Sequence, residues 1–213
     1  MDKKKIYIIR HGETDFNKKN IVQGSGVDSD LNDTGRAQAH SFFKSYREVP
    51  FDKIYISQLK RTRQTVQHFI DVGTPVEELQ GLNEISWGVH EGLEHNKEFD
   101  NEYWKRVKEW REGHLNIRIT GGESPLELAA RQEPAIEYIF SQTQEKTILI
   151  CMHGRALKSF LCLIQNIGLH HMDDHDHSNT GLYLFEYDSV KFNLLKTNDR
   201  SHLDGLGVLE DLT

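Results

Sequence analysis

Two short segments of this chain combine reactive side chains with a means of presenting them. Arg10-His11-Gly12 follows the apolar run at 6–9, and His153-Gly154 follows the apolar run at 148–152. Each histidine precedes a glycine, whose missing Cβ lets backbone or ligand come close. A lone histidine at the end of a strand is usually an ordinary hydrogen-bonded polar residue. A pair of them, accompanied by arginines and with no evident Ser or Cys nucleophile, suits phosphoryl chemistry instead. Neutral imidazole is a good nucleophile near pH 7. The planar fork of arginine pairs two phosphoryl oxygens at once. Arg10 adjoins the first histidine, and Arg61 follows the second predicted strand, on the same expected rim.

Such residues must be held by a scaffold. Apolar, β-branched runs predict strands at 5–9, 51–57, 76–79 and 147–152. A hairpin is expected from 182–187 and 190–196 around Asp188-Ser189. Helices are predicted from Asn32 or Thr34 to about Arg47, and over 58–70, 94–111, 124–140 and 155–166. Ser124, Pro125 and Glu127 form the start signal of the fourth of these segments, a capping box with proline in the first turn. Phe99, Tyr103, Trp104, Val107 and Trp110 read as one packing stripe of the 94–111 helix. Strands alternating with helices imply a three-layer α/β/α fold with a mostly parallel sheet. Ligands bind such sheets at the carboxyl ends of the strands, which is where both histidines fall. The length of 213 residues predicts one domain over 1–213, with a helical excursion at about 84–122.

Composition narrows the partners. The net charge of −7 argues against bulk binding to nucleic acid or anionic membrane, while a few arginines in a cleft can still attract a small anion. The longest apolar stretch is far too short to span a membrane. Two cysteines eleven residues apart, Cys151 and Cys162, fit neither a disulfide framework nor a zinc knuckle. A cytoplasmic protein is expected. His170-His171-Met172-Asp173-Asp174-His175-Asp176-His177 has the composition of a metal site. It lacks a regular i, i+4 pair on a helix, so a solvated loop is the expectation.

The motifs now reach a resemblance. Arg10-His11-Gly12-Glu13-Thr14 resembles the signature of the histidine phosphatase superfamily, the phosphoglycerate mutase-like family. Five further segments are similar to that family's, in order: Gln23-Gly24 with the 28–39 stretch, Ser57 to Thr65, Leu82 to Gly92, Gly121 to Ser124, and the strand into His153-Gly154. The match runs from Ile6 to about Thr180. The resemblance implies that His11 attacks phosphorus and becomes a transient phosphohistidine. It implies that Arg10, Arg61 and His153 surround the transferring group. It implies that Glu84 serves as general acid and then base, and that Asn17, Gln23, Gly24 and Gly154 line the phosphate site. No cofactor and no metal are expected, and the partner is a small phosphorylated substrate. The activity implied is that of a histidine acid-type phosphatase, a phosphoric monoester hydrolase.

Departures from the family pattern fall at the expected pocket rim: a longer loop between Gly24 and Asp28, Asp30 in place of a common proline, and His90 before Glu91-Gly92. Spacing alone does not choose Glu84 over Glu13, Glu91 or Glu123; the resemblance does. Glu13 reads better as a residue that orients Arg10 or steadies a helix start. Three other functions stay open. A phosphoglycerate mutase would use the same site, but only one helix is expected between Glu84 and Gly121 to exclude water. A catalytically inactive phosphate-binding domain and a metal-dependent hydrolase built on the 170–177 segment are the others.

Overall fold

The computed structural model describes residues 3–94 and 97–206, the side chains at 98 and 99 excepted. Six strands form one sheet: β1 (Lys4–Arg10), β2 (Lys53–Ile56), β3 (Val76–Glu78), β4 (Thr147–Met152), β5 (Leu182–Tyr187) and β6 (Phe192–Asp199). Their spatial order is β3-β2-β4-β1-β5-β6. The first four in that order are parallel, and β5 and β6 join as antiparallel partners. The sheet is therefore mostly parallel, as expected.

Alternation along the central strands separates two apolar layers. Ile6 and Ile8 of β1, with Ile148, Ile150 and Met152 of β4, face one core. Tyr7, Ile9, Leu149 and Cys151 face the other. Helices α2 (Asp33–Tyr46) and α3 (Lys60–Asp71) cover the second face through Phe42, Val66 and Phe69. Helices α5 (Pro125–Ser141) and α6 (Gly154–Ile164) cover the first through Leu128, Ile139, Leu157 and Phe160. Both central strands are buried on both faces, which is why they read as continuous apolar runs.

Local signals place most helix ends. Asn32 caps α2, accepting from Gly35 N–H at 2.9 Å, so of the two candidates Asn32 is the cap. The Ser124–Glu127 capping box and Pro125 open α5 as read; such a cap contributes about 1 kcal/mol. A four-residue helix α1 (Asp15–Lys18), capped by Thr14 and closed by Asn17, was too short to carry a periodic pattern. The last strand lies two to three residues later than expected, because Ser189 takes a left-handed conformation (φ 75°) and the turn extends to Lys191.

The excursion at 84–122 holds α4 (Lys97–Arg111), which packs on the segment Leu169–Asp174. Of its predicted stripe, Val107 and Trp110 are buried and Tyr103 is half-buried against the core. Trp104 is 63% exposed; it follows Tyr103 directly, and one residue turns a helix by about 100°, off the packed face. The Phe99 side chain lies outside the described residues. The 170–177 segment is a solvated loop only in part: His170, His171, Asp174 and Asp176 are exposed, but its first half is helical and anchored. Leu169–Asp174 is a 3-10 helix whose Leu169 and Met172, three residues apart, are both buried.

Candidate active site

Parallel pairing of β1 with β4 puts Arg10 opposite Met152. The next residues, His11 and His153, leave the sheet side by side, with ring centroids 5.2 Å apart. Both are almost fully buried. His11 Nδ1 lies 2.7 Å from the Gly12 carbonyl. A carbonyl can only accept, so Nδ1 carries the proton and Nε2 keeps its lone pair. Burial, followed by Arg61 and Arg10, holds His11 well below its ordinary value of 6.5. The ring is therefore a neutral imidazole with a free Nε2.

His153 is fixed in the opposite tautomer. Arg61 Nε donates to its Nδ1 at 3.1 Å, so the proton sits on Nε2, 2.7 Å from Ser57 Oγ. Ser57 in turn donates to Thr62 Oγ1 at 2.9 Å, and Thr62 donates to the Leu59 carbonyl at 2.8 Å. Every hydroxyl in this buried chain has both a donor and an acceptor role. Burial, then Arg61, holds His153 well below 6.5 as well.

Arg61 is a buried cation and Arg10 a half-buried one. Arg61 is wholly buried on the first turn of α3, with Nη1 on the Val27 carbonyl at 2.6 Å and Nη2 on the Gly24 carbonyl at 3.4 Å. Burial lowers it to about 10, so it stays charged at neutral pH. Arg10 donates through Nη1 to His177 Nδ1 at 3.1 Å and to the His177 carbonyl at 3.3 Å. Its Nε is buried with no hydrogen-bond partner among the described residues. The leading opposite charge acting on both guanidinium groups is Glu84. Glu13 also acts on Arg10, and Asp28 and Glu91 on Arg61, but neither guanidinium is ion-paired with a carboxylate among the described residues, and a desolvated charge is costly unless matched. The site favours an anion.

Glu84 is nearly buried, and its carboxylate caps α6 from outside the helix. It accepts from Arg155 N–H at 3.1 Å and Ala156 N–H at 2.8 Å, as well as from Ile85 N–H at 2.9 Å. His153 offers no side-chain cap of its own. The otherwise unpaired amides of the helix start thus hold Glu84 beside His153. Arg131 secures the same turn by donating to the Glu84 carbonyl at 2.7 Å while pairing with Glu123 at 2.8 Å. The other acids are engaged elsewhere: Glu91 accepts from Trp87 N–H, and Glu13 from the Asn32 amide that caps α2. Glu13 makes no hydrogen bond to Arg10; it steadies a helix start.

The remaining predicted residues form the rim. Gln23 donates to Thr14 Oγ1 at 2.7 Å and accepts from Ser29. Asn17 closes the α1 cap and accepts from Asn179, whose Nδ2 also donates to the His11 carbonyl at 2.9 Å. A Cβ at Gly24 would stand 1.9 Å from the movable end of Glu91 and 2.9 Å from the Ile85 carbonyl, and it is the backbone contact that resists a side chain there. At Gly154 a Cβ would meet the His177 ring at 3.2 Å. The departures at the rim are accommodated: Asp30 accepts from Gln64, and His90 is buried on Glu102 of α4.

Sequence reading missed four residues that the structure brings to this site. Ser57 and Thr62 complete the chain from His153. Arg155 lies over Trp87 and Trp110 and pairs with Asp173 at 2.8 Å. His177 meets Arg10. Asp173 and His177 belong to the His/Asp-rich segment, so that motif contributes an ion pair and an arginine contact. Among the described residues, no three His, Cys, Asp or Glu side chains converge on a point that could hold a metal ion.

Comparison with known proteins agrees with this fold. The chain is 30% identical over 220 residues to a broad-specificity phosphatase of Saccharomyces cerevisiae, covering 98% of this chain and 91% of that one. It is 32% identical over 172 residues to a 2,3-bisphosphoglycerate-dependent phosphoglycerate mutase of Bartonella tribocorum, covering 76% and 82%. The fold matches the crystal structure of the α-ribazole phosphatase of Shigella flexneri with a TM-score of 0.81 at 23% identity, over 92% of this chain and 96% of that one. The model of branch 1 of the histidine phosphatase superfamily matches residues 6–200, and the chain belongs to that superfamily.

Proposed function

We propose that this protein is a phosphoric monoester hydrolase that works through a phosphohistidine on His11. The observation that carries the reading is the Nε2 lone pair of a neutral His11 beside two guanidinium groups, buried Arg61 and half-buried Arg10, the latter with an Nε–H unpaired among the described residues. In the first half-reaction the Nε2 lone pair forms a bond to phosphorus and the ester P–O bond breaks. The leaving alkoxide takes a proton from Glu84. In the second, water attacks phosphorus, the P–N bond breaks, and Glu84 receives the water's proton. Arg10 and Arg61 neutralise the equatorial oxygens throughout. His153, whose Nδ1 accepts from Arg61 Nε and whose Nε2 donates to Ser57, holds Arg61 beside the transferring group. The guanidinium groups supply the charge that a metal ion supplies elsewhere, so turnover should persist in EDTA.

The substrate is a small phosphorylated molecule, in keeping with the phosphatases among the relatives. We place the chain in the cytoplasm as one domain. Its two free, buried thiols support a reducing setting, and no helix among the described residues is long and apolar enough to cross a membrane.

The mutase relatives favour a second reading, in which the phosphoryl group passes to another hydroxyl. That outcome requires exclusion of water by a closed lid. The candidate lid among the described residues is α4. The deciding experiment measures phosphate release from a panel of phosphomonoesters, with and without chelator. Beside it runs interconversion of 3- and 2-phosphoglycerate with 2,3-bisphosphoglycerate present. Hydrolysis should exceed mutase turnover. The reverse order would make the protein a mutase, and loss of activity in EDTA with recovery on added divalent metal would refute the guanidinium account.

A further inference from the structure

We propose that His177 is a positioning residue for Arg10: its ring nitrogen and its own carbonyl fix one guanidinium nitrogen, which aims the other N–H groups at the transferring phosphoryl group. This rests on the phosphohistidine reading of the site.

The contact has a defined polarity. Arg10 has only donors to offer, so His177 Nδ1 at 3.1 Å must accept and the ring proton lies on Nε2. The His177 carbonyl takes the same Nη1 at 3.3 Å. A single nitrogen is thus held from two directions, which fixes the plane of the guanidinium. Nε, buried and unpartnered among the described residues, is left as a free donor.

The ring itself has little freedom. It lies against Gly154, where even a methyl group would come within 3.2 Å of it. The flanking backbone is pinned to the sheet. Ser178 N–H donates to Asn198 at the end of β6, Thr180 N–H donates to the Arg10 carbonyl, and Tyr183 of β5 donates to the Asp176 carbonyl. The other side of His177 borders an open cavity of about 400 Å³, also lined by Lys158, Asp176 and Arg200. The charged groups around the ring are Arg10, Lys158 and Arg155, with Asp176 adjacent in the chain. Burial and these cations hold His177 down to about 3, so it remains an acceptor at any pH at which the protein would work. A protonated ring would turn a donor toward Arg10 and break the contact.

The test compares His177→Ala with His177→Asn. Asparagine Oδ1 stands where Nδ1 stands, two bonds beyond Cβ, and can only accept. Three readouts are used: kcat and KM for a phosphomonoester, the affinity for inorganic phosphate by calorimetry, and solvent exchange of the Arg10 Nε–H by nitrogen-resolved NMR. Thermal melts confirm that both variants are folded. In His177→Ala, kcat should fall about 10- to 100-fold with a smaller change in KM, phosphate affinity should weaken several-fold, and the Arg10 Nε–H should exchange at least 10-fold faster. His177→Asn should return all three to within about 3-fold of the parent. If both variants match the parent, or if asparagine is as impaired as alanine, His177 does not act through its acceptor and the proposal is overturned. Absence of ester hydrolysis in the parent would refute the phosphohistidine reading instead; the Arg10 exchange rates would still decide the role of His177.

Discussion

Replacing Ser57 with alanine tests whether the tautomer of His153 matters. Ser57 Oγ accepts from His153 Nε2 at 2.7 Å and from Leu59 N–H at 3.1 Å. Both donors are buried, and each would lose its acceptor. An unsatisfied buried donor costs about 1–3 kcal/mol. Two of them, partly relieved when the imidazole proton moves to Nδ1, amount to roughly 2–4 kcal/mol. Set against a typical stability of about 5–15 kcal/mol, the fold survives. The midpoint of thermal unfolding should drop by about 5–15 °C for a chain of this size. The proton move has a second consequence. Nδ1–H would then face Arg61 Nε–H, now 3.1 Å away, donor against donor. Either the ring or Arg61 must shift, and the phosphoryl clamp loosens. We expect kcat to fall about 10- to 100-fold, or about 1.4–2.7 kcal/mol. Urea titration, phosphate release and imidazole nitrogen NMR on one preparation measure all three effects. A Ser57→Ala protein with unchanged stability and turnover, and with His153 still protonated on Nε2, would refute this reasoning.

Two further outcomes follow from the same site. Glu84→Gln keeps an accepting oxygen for one of the two α6 amides, turns an NH2 toward the other, and has no acidic proton to give. In single-turnover quench experiments it should slow phosphorylation by an alkyl phosphate about 100-fold, yet slow 4-nitrophenyl phosphate far less, because nitrophenolate leaves without protonation. Equal slowing of both would assign Glu84 to packing. Stability should also fall in acid. His202 is held to about 4 and His177 to about 3, mainly by burial, and His11 and His153 also lie well below 6.5. Below pH 6.5 the unfolded chain binds protons that the folded one refuses. Stability is therefore fully present above about 6.5 and is lost as pH falls toward 4 and 3, about 3 kcal/mol at pH 4 from His202 alone. Urea midpoints that stay flat from pH 7 to 4 would contradict this.

The parts of the fold legible in the sequence were those set by local chemistry. The buried strands β1 and β4 were continuous apolar runs, and the capping box at Ser124 announced α5. The reactive residues were legible because a strand ending in His-Gly puts the imidazole at a known edge of the sheet. What sequence could not supply was contact between distant segments. His177 meets Arg10 across 167 positions and Ser57 meets His153 across 96, and neither pairing leaves a periodic trace. The His/Asp-rich segment misled in part for the same reason. Its polar composition suggested a solvated loop, while two apolar residues three apart, Leu169 and Met172, were enough to seat it on the core. Trp104 erred in the other direction, because an aromatic residue beside a true stripe takes no part in it.

The central claim is that phosphorus becomes bonded to His11 Nε2. The most direct measurement mixes the protein with a ³²P-labelled phosphomonoester, quenches it in alkali within one turnover, and locates the label by peptide mapping, with ³¹P NMR to distinguish the two ring nitrogens. The account predicts an acid-labile, alkali-stable phosphohistidine on Nε2 of His11, absent from a folded His11→Ala protein that has lost turnover. Label on His153 or any other residue, or full turnover in folded His11→Ala, would contradict it.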